Sequence, residues 1–290
     1  MKIQILHAHQ DDYEFTAAGT FEMWKRKLGN ELSAKVVICT DGRSGHHFRT
    51  REDTGDIRLK EQSASAAIGG FEYDQLIGPN GEVIRDGAFF LTTELLSGFW
   101  KSIRDYEPDY LFSPPVATDP LAGVHNDHAG VAEAVRKVAY LINVPHAFTP
   151  EFPANETSSV PCKVPVILNV FDAYMGGANT FDLVVDIEDA FEQICEMSFC
   201  HQSQINEWLP WVSGHTLEKS YNLAEWTDLS RQRSEEFKTK FGIKAKGAIE
   251  VFTVTAWGSI PNYENLLDDF PNIITSASNL DGLKNKIEQF

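Results

Sequence analysis

The residues best equipped for chemistry come in two polar runs, His7-Ala8-His9-Gln10-Asp11-Asp12-Tyr13-Glu14 and His125-Asn126-Asp127-His128. Imidazole and carboxylate are the donors a catalytic zinc needs, three from the protein with a fourth position left for water. Zinc bound in this way lowers the pKa of its water toward about 7 and polarises a carbonyl oxygen. A neighbouring carboxylate can then take the proton, while an imidazolium stabilises an oxyanion or protonates a leaving amine. Each residue taken singly also has a plainer use. Asp127 suits the cap of a following helix, and Asp11 or Asp12 the cap of one before Phe15. Spacing alone leaves open which of Asp11 and Asp12 would bind metal.

The two runs lie far apart in the chain, so the fold must bring them together. Lys2 to Leu6 reads as a buried strand, Thr16 to Leu28 as a helix with Phe21 and Trp24 on one side, and Ala34 to Cys39 as a second strand. A polar loop, Asp41 to Thr54, leads to helical patterns at Ile57 to Ile68 and Leu91 to Asp105. A short strand at Asp109 to Phe112 precedes Pro114-Pro115, and Asp127 to Asn143 is again helical. Alternation of this kind predicts an α/β fold, a Rossmann-like, mostly parallel sheet with helices on both faces. Loops at the carboxyl ends of parallel strands share one edge, and both polar runs follow such ends.

Beyond Pro145 the pattern changes. Prolines 150, 153, 161 and 165 mark a long connection, followed by a strand at Val166 to Val170, a helix at Ile187 to Asn206, a helical stretch at Leu223 to Lys240 and a strand at Ala248 to Thr255. This half is expected to complete and cover the same sheet. The chain is read as one domain of residues 1–290, with residues 1–145 as a core holding both polar runs and residues 146–290 as covering elements.

His9-Gln10-Asp11-Asp12-Tyr13-Glu14 together with His125-Asn126-Asp127-His128 resembles the paired signatures of the LmbE-like (PIG-L) zinc-dependent deacetylases. Thr40-Asp41-Gly42 is similar to that family's Thr-x-Gly turn, and Arg58 with Glu61 to its Arg-x-x-Glu helix. The resemblance covers roughly the first 145 residues. It implies His9, Asp12 and His128 as zinc ligands, one Zn²⁺ per chain, and Asp11 as the general base. It further implies His125 as oxyanion stabiliser or general acid, with Asp127 holding its ring, and Arg58 reaching a substrate oxygen. Glu14 would support the loop from behind the ligands. Gln10 stands where the family usually has proline, Asn80 where many members have aspartate, and Val124 where glycine is usual. None of these is a proposed ligand, so the departures bear on substrate and leave the chemistry intact.

The implied function is zinc-dependent hydrolysis of an N-acyl bond, with an N-acetyl group on an amino sugar or its conjugate as the expected substrate. The alternatives are a zinc amidase acting on a non-sugar substrate such as a thiol conjugate, or a metal- or sugar-binding protein without turnover. The intact Asp11 and His125 argue against the last, because binding needs neither base nor acid.

Composition narrows the partners. Among 290 residues, 42 Asp and Glu against 25 Lys and Arg give a formal net charge of −17, which repels phosphate backbones and anionic lipid headgroups. Nucleic-acid and membrane partners are therefore not expected, and neither is the membrane-working branch of the family. No apolar run approaches the roughly 20 residues that span a bilayer. The amino terminus reads as a strand, not a signal peptide, and the cysteines Cys39, Cys162, Cys195 and Cys200 lack paired-motif spacing. A reducing cytoplasm is expected, and a homo-oligomer is compatible with the sequence.

Secondary candidates come from the rest of the chain. His46, and His47 beside it, lie in a loop on the site edge and are read as substrate contacts or as solvent-exposed histidines. Trp208 and Trp211 offer indole faces to a sugar ring or to packing. The plainer reading of Arg58 is a surface arginine paired with Glu61. His7 is read as structural, and Cys195, Cys200 and His201 as buried helix residues in preference to a metal cluster. There is no Gly-rich phosphate fingerprint and no Gly-x-Ser-x-Gly elbow.

Overall fold

Strand β1, Lys2–His7, is buried at every position after Lys2, as a strand covered on both faces of a parallel sheet must be. Ile3 and Ile5 point to one face and Leu6 to the other. Gln4, fully buried, donates from Nε2 to Ser102 Oγ. The computed structural model describes residues 1–155, 161–175, 179–215 and 217–290.

The remaining elements follow in chain order. They are α1 (Asp12–Thr16), α2 (Ala18–Leu28), β2 (Ser33–Ile38), α3 (Arg51–Gly69), β3 (Glu72–Gln75), α4 (Thr93–Tyr106), β4 (Tyr110–Ser113) and α5 (Asn126–Ala139). The second half adds β5 (Val166–Val170), β6 (Leu183–Asp186), α6 (Phe191–Phe199), a π-helical turn (Ser203–Trp208), α7 (Leu209–Val212), α8 (Leu223–Phe241), β7 (Ile249–Val254), α9 (Tyr263–Asp269) and α10 (Leu280–Gln289). The sheet order is β3-β2-β1-β4-β5-β7-β6. The first five strands in that order are mutually parallel, and β7 runs antiparallel to both β5 and β6. The expected α/β, mostly parallel architecture is the one found, with the strands of the second half hydrogen-bonded into the same sheet.

Helices cover both faces. Trp24 of α2, Ile194 of α6, Trp226 of α8, Leu266 of α9 and Leu283 of α10 pack with Ile3 and Ile5. Phe99 and Trp100 of α4 and Val131 and Val135 of α5 pack with Leu6 and Leu111 on the opposite face. Among the described residues no helix is long and apolar enough to cross a membrane. Cys39, Cys162 and Cys195 are buried free thiols, and Cys200, expected to be buried alongside Cys195, is half-buried because it lies just past the end of α6.

Two expected helices are broken. Thr16 to Leu28 is interrupted at Ala17, whose φ of −148° ends α1 and lets α2 start afresh. The amides of Gly19 and Thr20 freed by that break donate to the Glu250 carboxylate on β7. Ile187 to Asn206 divides into a 3₁₀ turn, α6 and the π-helical turn. The break falls where Ser203 turns its N–H and hydroxyl onto Glu61 of α3, both at 2.7 Å. Strand β3 escaped sequence reading because it is polar, with alternate residues exposed, and β6 because it has only four residues.

Candidate active site

The chain leaves β1 toward β2 on one side of the sheet, while β4 pairs with β1 on the other side. The order reverses between β1 and β4, and such a reversal opens a crevice at the carboxyl ends of the strands. The loop after β1 carries residues 8–11 and hands Asp12 to the start of α1, and the loop after β4 leads into α5 with residues 125–128. The two polar runs meet there.

Three donor atoms converge at the meeting point. His9 Nδ1 lies 3.2 Å from His128 Nε2 and 3.4 Å from Asp12 Oδ2, and His128 Nε2 lies 3.5 Å from the same Asp12 oxygen. Zinc bonds of about 2.0–2.1 Å in a tetrahedron put ligand atoms roughly 3.3 Å apart, so the triangle has the right size for such an ion. The hydrogen bonds behind it aim the rings. His9 Nε2 faces Asp127 Oδ2 at 3.1 Å and Asp86 Oδ1 at 3.4 Å, and His128 Nδ1 faces Asp172 Oδ2 at 2.6 Å. Carboxylates only accept, so these outer nitrogens carry protons, and in the neutral rings the inner ones would offer lone pairs toward each other. Two such nitrogens beside a carboxylate oxygen could hold a cation. Overlapping triplets that include His7, His125, Asp86 and Asp127 make the donors one continuous cluster.

Charge is held by this network. Burial pulls His9 down, but its hydrogen bonds with Asp12, Asp127 and Asp86 outweigh burial and raise it well above the ordinary histidine value. Burial likewise lowers His128, and Asp12 and Asp172 more than reverse it. Burial would raise Asp12, yet the charges of His128 and His7 hold it well below the carboxylate range. Asp11 is different: burial pushes it up to about 6 against the opposing pull of Arg58. Burial, with the His9 and His128 charges, pushes His125 down.

Asp11 heads α1 with φ 87°, a left-handed conformation that only glycine, asparagine and aspartate enter readily. It makes no side-chain cap. Its Oδ1 instead accepts from Arg58 Nη2 at 3.1 Å. The cap of α5 is His125, whose Nδ1 accepts the Asp127 N–H at 3.3 Å. Capping therefore occupies neither the Asp11 nor the Asp127 carboxylate. The Asp127 carboxylate meets His9 and the Gly87 N–H, not the His125 ring it was expected to hold.

The expected substrate residues are placed differently from one another. Arg58 is buried, not a surface partner of Glu61, and donates to the Gly42 and Gln10 carbonyls as well as to Asp11. Gly42 has φ 60°, and a Cβ there would collide with the Gln10 side chain, so this turn requires glycine. The His46 side chain is fully covered, with Nε2 2.8 Å from Glu207 Oε2, where Arg49 also forks. Trp208 stacks on Trp211 at 5.4 Å, and Trp211 stacks in turn on His47 at 4.7 Å. Arg58, Gln204 and Trp208 converge on Gly45. The loop containing His46 and the turn containing Trp208 are thus clasped together.

His7, expected to be structural, places Nδ1 2.7 Å from Asp12 Oδ2, and sequence reading missed Asp86 and Asp172. Asp172 had a usable signal: it follows β5 on the same sheet edge. Asp86 had none, since its long loop leaves no register. Behind Asp11, Gln62 and Ser65 of α3 bond Glu14, which lies 3.4 Å from the buried His201. Glu14 thus supports the loop from behind, as expected.

Residues 4–139 match the family profile described as PIG-L: GlcNAc-PI de-N-acetylase. No curated protein sequence matches the chain. Among solved structures, N,N'-diacetylchitobiose deacetylase from Pyrococcus horikoshii aligns over 88% of this chain and 84% of its own, with TM-score 0.66 and 18% identity. The 4-carboxy-2-hydroxymuconate hydratase from Pseudomonas putida aligns over 87% and 95%, with TM-score 0.62 and 16% identity. A deacetylase of the teicoplanin biosynthetic pathway aligns over 88% and 99%, with TM-score 0.54 and 14% identity. At these identities the likeness is one of fold. The profile match spans both polar runs and the strands that carry them, so over residues 4–139 the chain is similar to the PIG-L (LmbE-like) family, as the signatures suggested.

Proposed function

We propose that the protein is a zinc-dependent N-deacylase of the deacetylase type, acting on an amino sugar or its conjugate. The observation that carries this reading is the triangle of His9 Nδ1, Asp12 Oδ2 and His128 Nε2, with each histidine aimed by a carboxylate behind it. These three residues would hold the ion. Bound there, zinc supplies Lewis acidity toward a carbonyl oxygen and acidifies water.

The chain's own groups would do the rest. Asp11, held by Arg58 through one oxygen, keeps the other free to accept a proton from the attacking water. His125, half-buried with its ring centroid 4.6 Å from that of His128, would stabilise the oxyanion or hand a proton to the leaving nitrogen. Asp127 would act through His9 by fixing its tautomer. Arg58 would position Asp11 and the Gln10 carbonyl from beneath, with His46 and Trp208 shaping the rim. The chitobiose and teicoplanin-pathway deacetylases share this fold, which favours sugar-linked amides. The hydratase on the same fold marks the rival chemistry, addition of water to a double bond.

The test is acetate release from a panel of N-acetylated amino sugars by zinc-loaded and chelator-treated protein. Zinc-dependent release is expected. Asp11→Asn should keep its metal and lose roughly 10²–10⁴-fold in kcat. Zinc-loaded protein that cleaves neither these nor longer-chain N-acyl amino sugars, or near-normal activity in Asp11→Asn, would overturn the reading.

A further inference from the structure

A cavity of about 590 Å³ opens beside the proposed zinc ligands, on the sheet face covered by α6 and α8. Asp12 and His128 line one part of it, and Phe171, Phe191, Ile194, Ile205, Trp226 and Val251 form its apolar wall. Protein interiors hold few voids larger than a water molecule, and this one has the volume of a site for a drug-sized ligand. An acetyl group would leave nearly all of it empty. The buried His7 Nε2 and Ser234 Oγ on its lining have no hydrogen-bond partner among the described residues.

The cavity lies to one side of the triangle. Asp12 and His128 reach it, whereas His9, His125, Asp86 and Asp127 are not on its lining. If His125 hands its proton to the leaving nitrogen, that nitrogen sits off the lining and the carbon side of the scissile amide faces the cavity. We infer that the substrate carries a long aliphatic N-acyl chain, held in this cavity, so that the preferred reaction is removal of a fatty acyl group in place of acetyl. This rests on the deacylase reading and specifies its substrate. Water adds its oxygen to the acyl carbon and the C–N bond breaks. The products are a fatty carboxylate and the protonated amino sugar.

The experiment compares N-acetyl-, N-hexanoyl- and N-decanoyl-glucosamine on the zinc-loaded protein by release of free amine, with the decyl glycoside of N-acetylglucosamine as a control. Burial of each methylene corresponds to about a fourfold gain, so kcat/KM should climb by up to that factor per added methylene from acetyl to hexanoyl. Ser234→Phe, which fills the cavity from α8, should abolish the gain. Ser230→Phe, one turn earlier on the same helix, gives the reading if the first variant melts early. Calorimetry of decanoate against acetate supplies a measure independent of turnover, with decanoate expected to bind at least tenfold tighter and to lose that margin in Ser234→Phe. A flat series with acetyl still cleaved overturns the inference and leaves the proposed function standing. A gain that follows the decyl glycoside assigns the cavity to the other side of the substrate and overturns it too. If no amide is cleaved, the deacylase reading itself falls. The decanoate margin then decides the cavity: its presence and loss in the variant support chain binding, and equal binding of the two acids overturns it.

Discussion

A buried imidazole can offer a metal only the nitrogen that its other neighbour leaves free, so the residues behind a ligand set its strength. Asp172, 2.6 Å from His128 Nδ1, and Asp127, on His9 Nε2, hold that position here. Asp172→Asn should weaken zinc by about 10–100-fold, read by competition with a chromogenic chelator, because an amide can present its donor side to the ring and let it turn. Unchanged affinity would remove Asp172 from the site. Asp12→Asn should lower occupancy in metal analysis more than Asp11→Asn, since a neutral amide is the poorer zinc ligand. The roles of these residues were only partly legible in the sequence. Residue types and spacing gave the cluster, and family resemblance distinguished Asp12 from Asp11. The pairing of Asp127 with His9 instead of His125 depends on how α5 is rotated, which no spacing encodes.

At the scale of elements, α2 begins without a capping side chain of its own, and Glu250 of β7 takes its Gly19 and Thr20 amides at 2.8 and 2.7 Å. This capping from another element ties a helix to a strand more than two hundred residues away in the chain. Glu250→Ala should cost about 1–2 kcal/mol in denaturant unfolding, the usual worth of a helix cap. Burial raises the Glu250 pKa above its ordinary value despite those two amides. The folded state therefore holds that proton more tightly than the unfolded chain. Its contribution to stability is fully present below about pH 4.5 and is lost as pH rises through the folded value. Relative to Glu250→Gln, the wild-type melting temperature should accordingly gain as pH falls from 7 toward 4.5, and a gap independent of pH would refute the assignment. Apolar runs made β1, β2 and β5 readable from sequence, and helical patterning did so for α8 and for α3 beyond Ile57, whereas the first turn of α3, Arg51 to Thr54, was expected as loop. The break at Ala17 was not readable, because the partner that satisfies the freed amides is so remote in sequence.

For the molecule as a whole, a cation at the triangle would join the loop after β1 to α5, and through Asp172 to the end of β5. Removing it should lower the melting temperature. At a free zinc concentration a hundredfold above Kd, bound metal contributes about 2.7 kcal/mol. Thermal scans with chelator and after zinc is restored should show a reversible shift in the wild type and a much smaller one in Asp12→Asn. The cavity has a different origin from the metal set. The proposed ligands and base lie between residues 9 and 128, whereas most of the apolar wall comes from residues 171 to 251. On the proposed reading, the metal set and the acyl cavity would sit largely on separate stretches of the chain, joined by Asp172 behind His128. A lineage built this way can keep its chemistry under tight selection while the second stretch drifts and remodels which acyl group is accepted. It can change its diet without relearning how to cut.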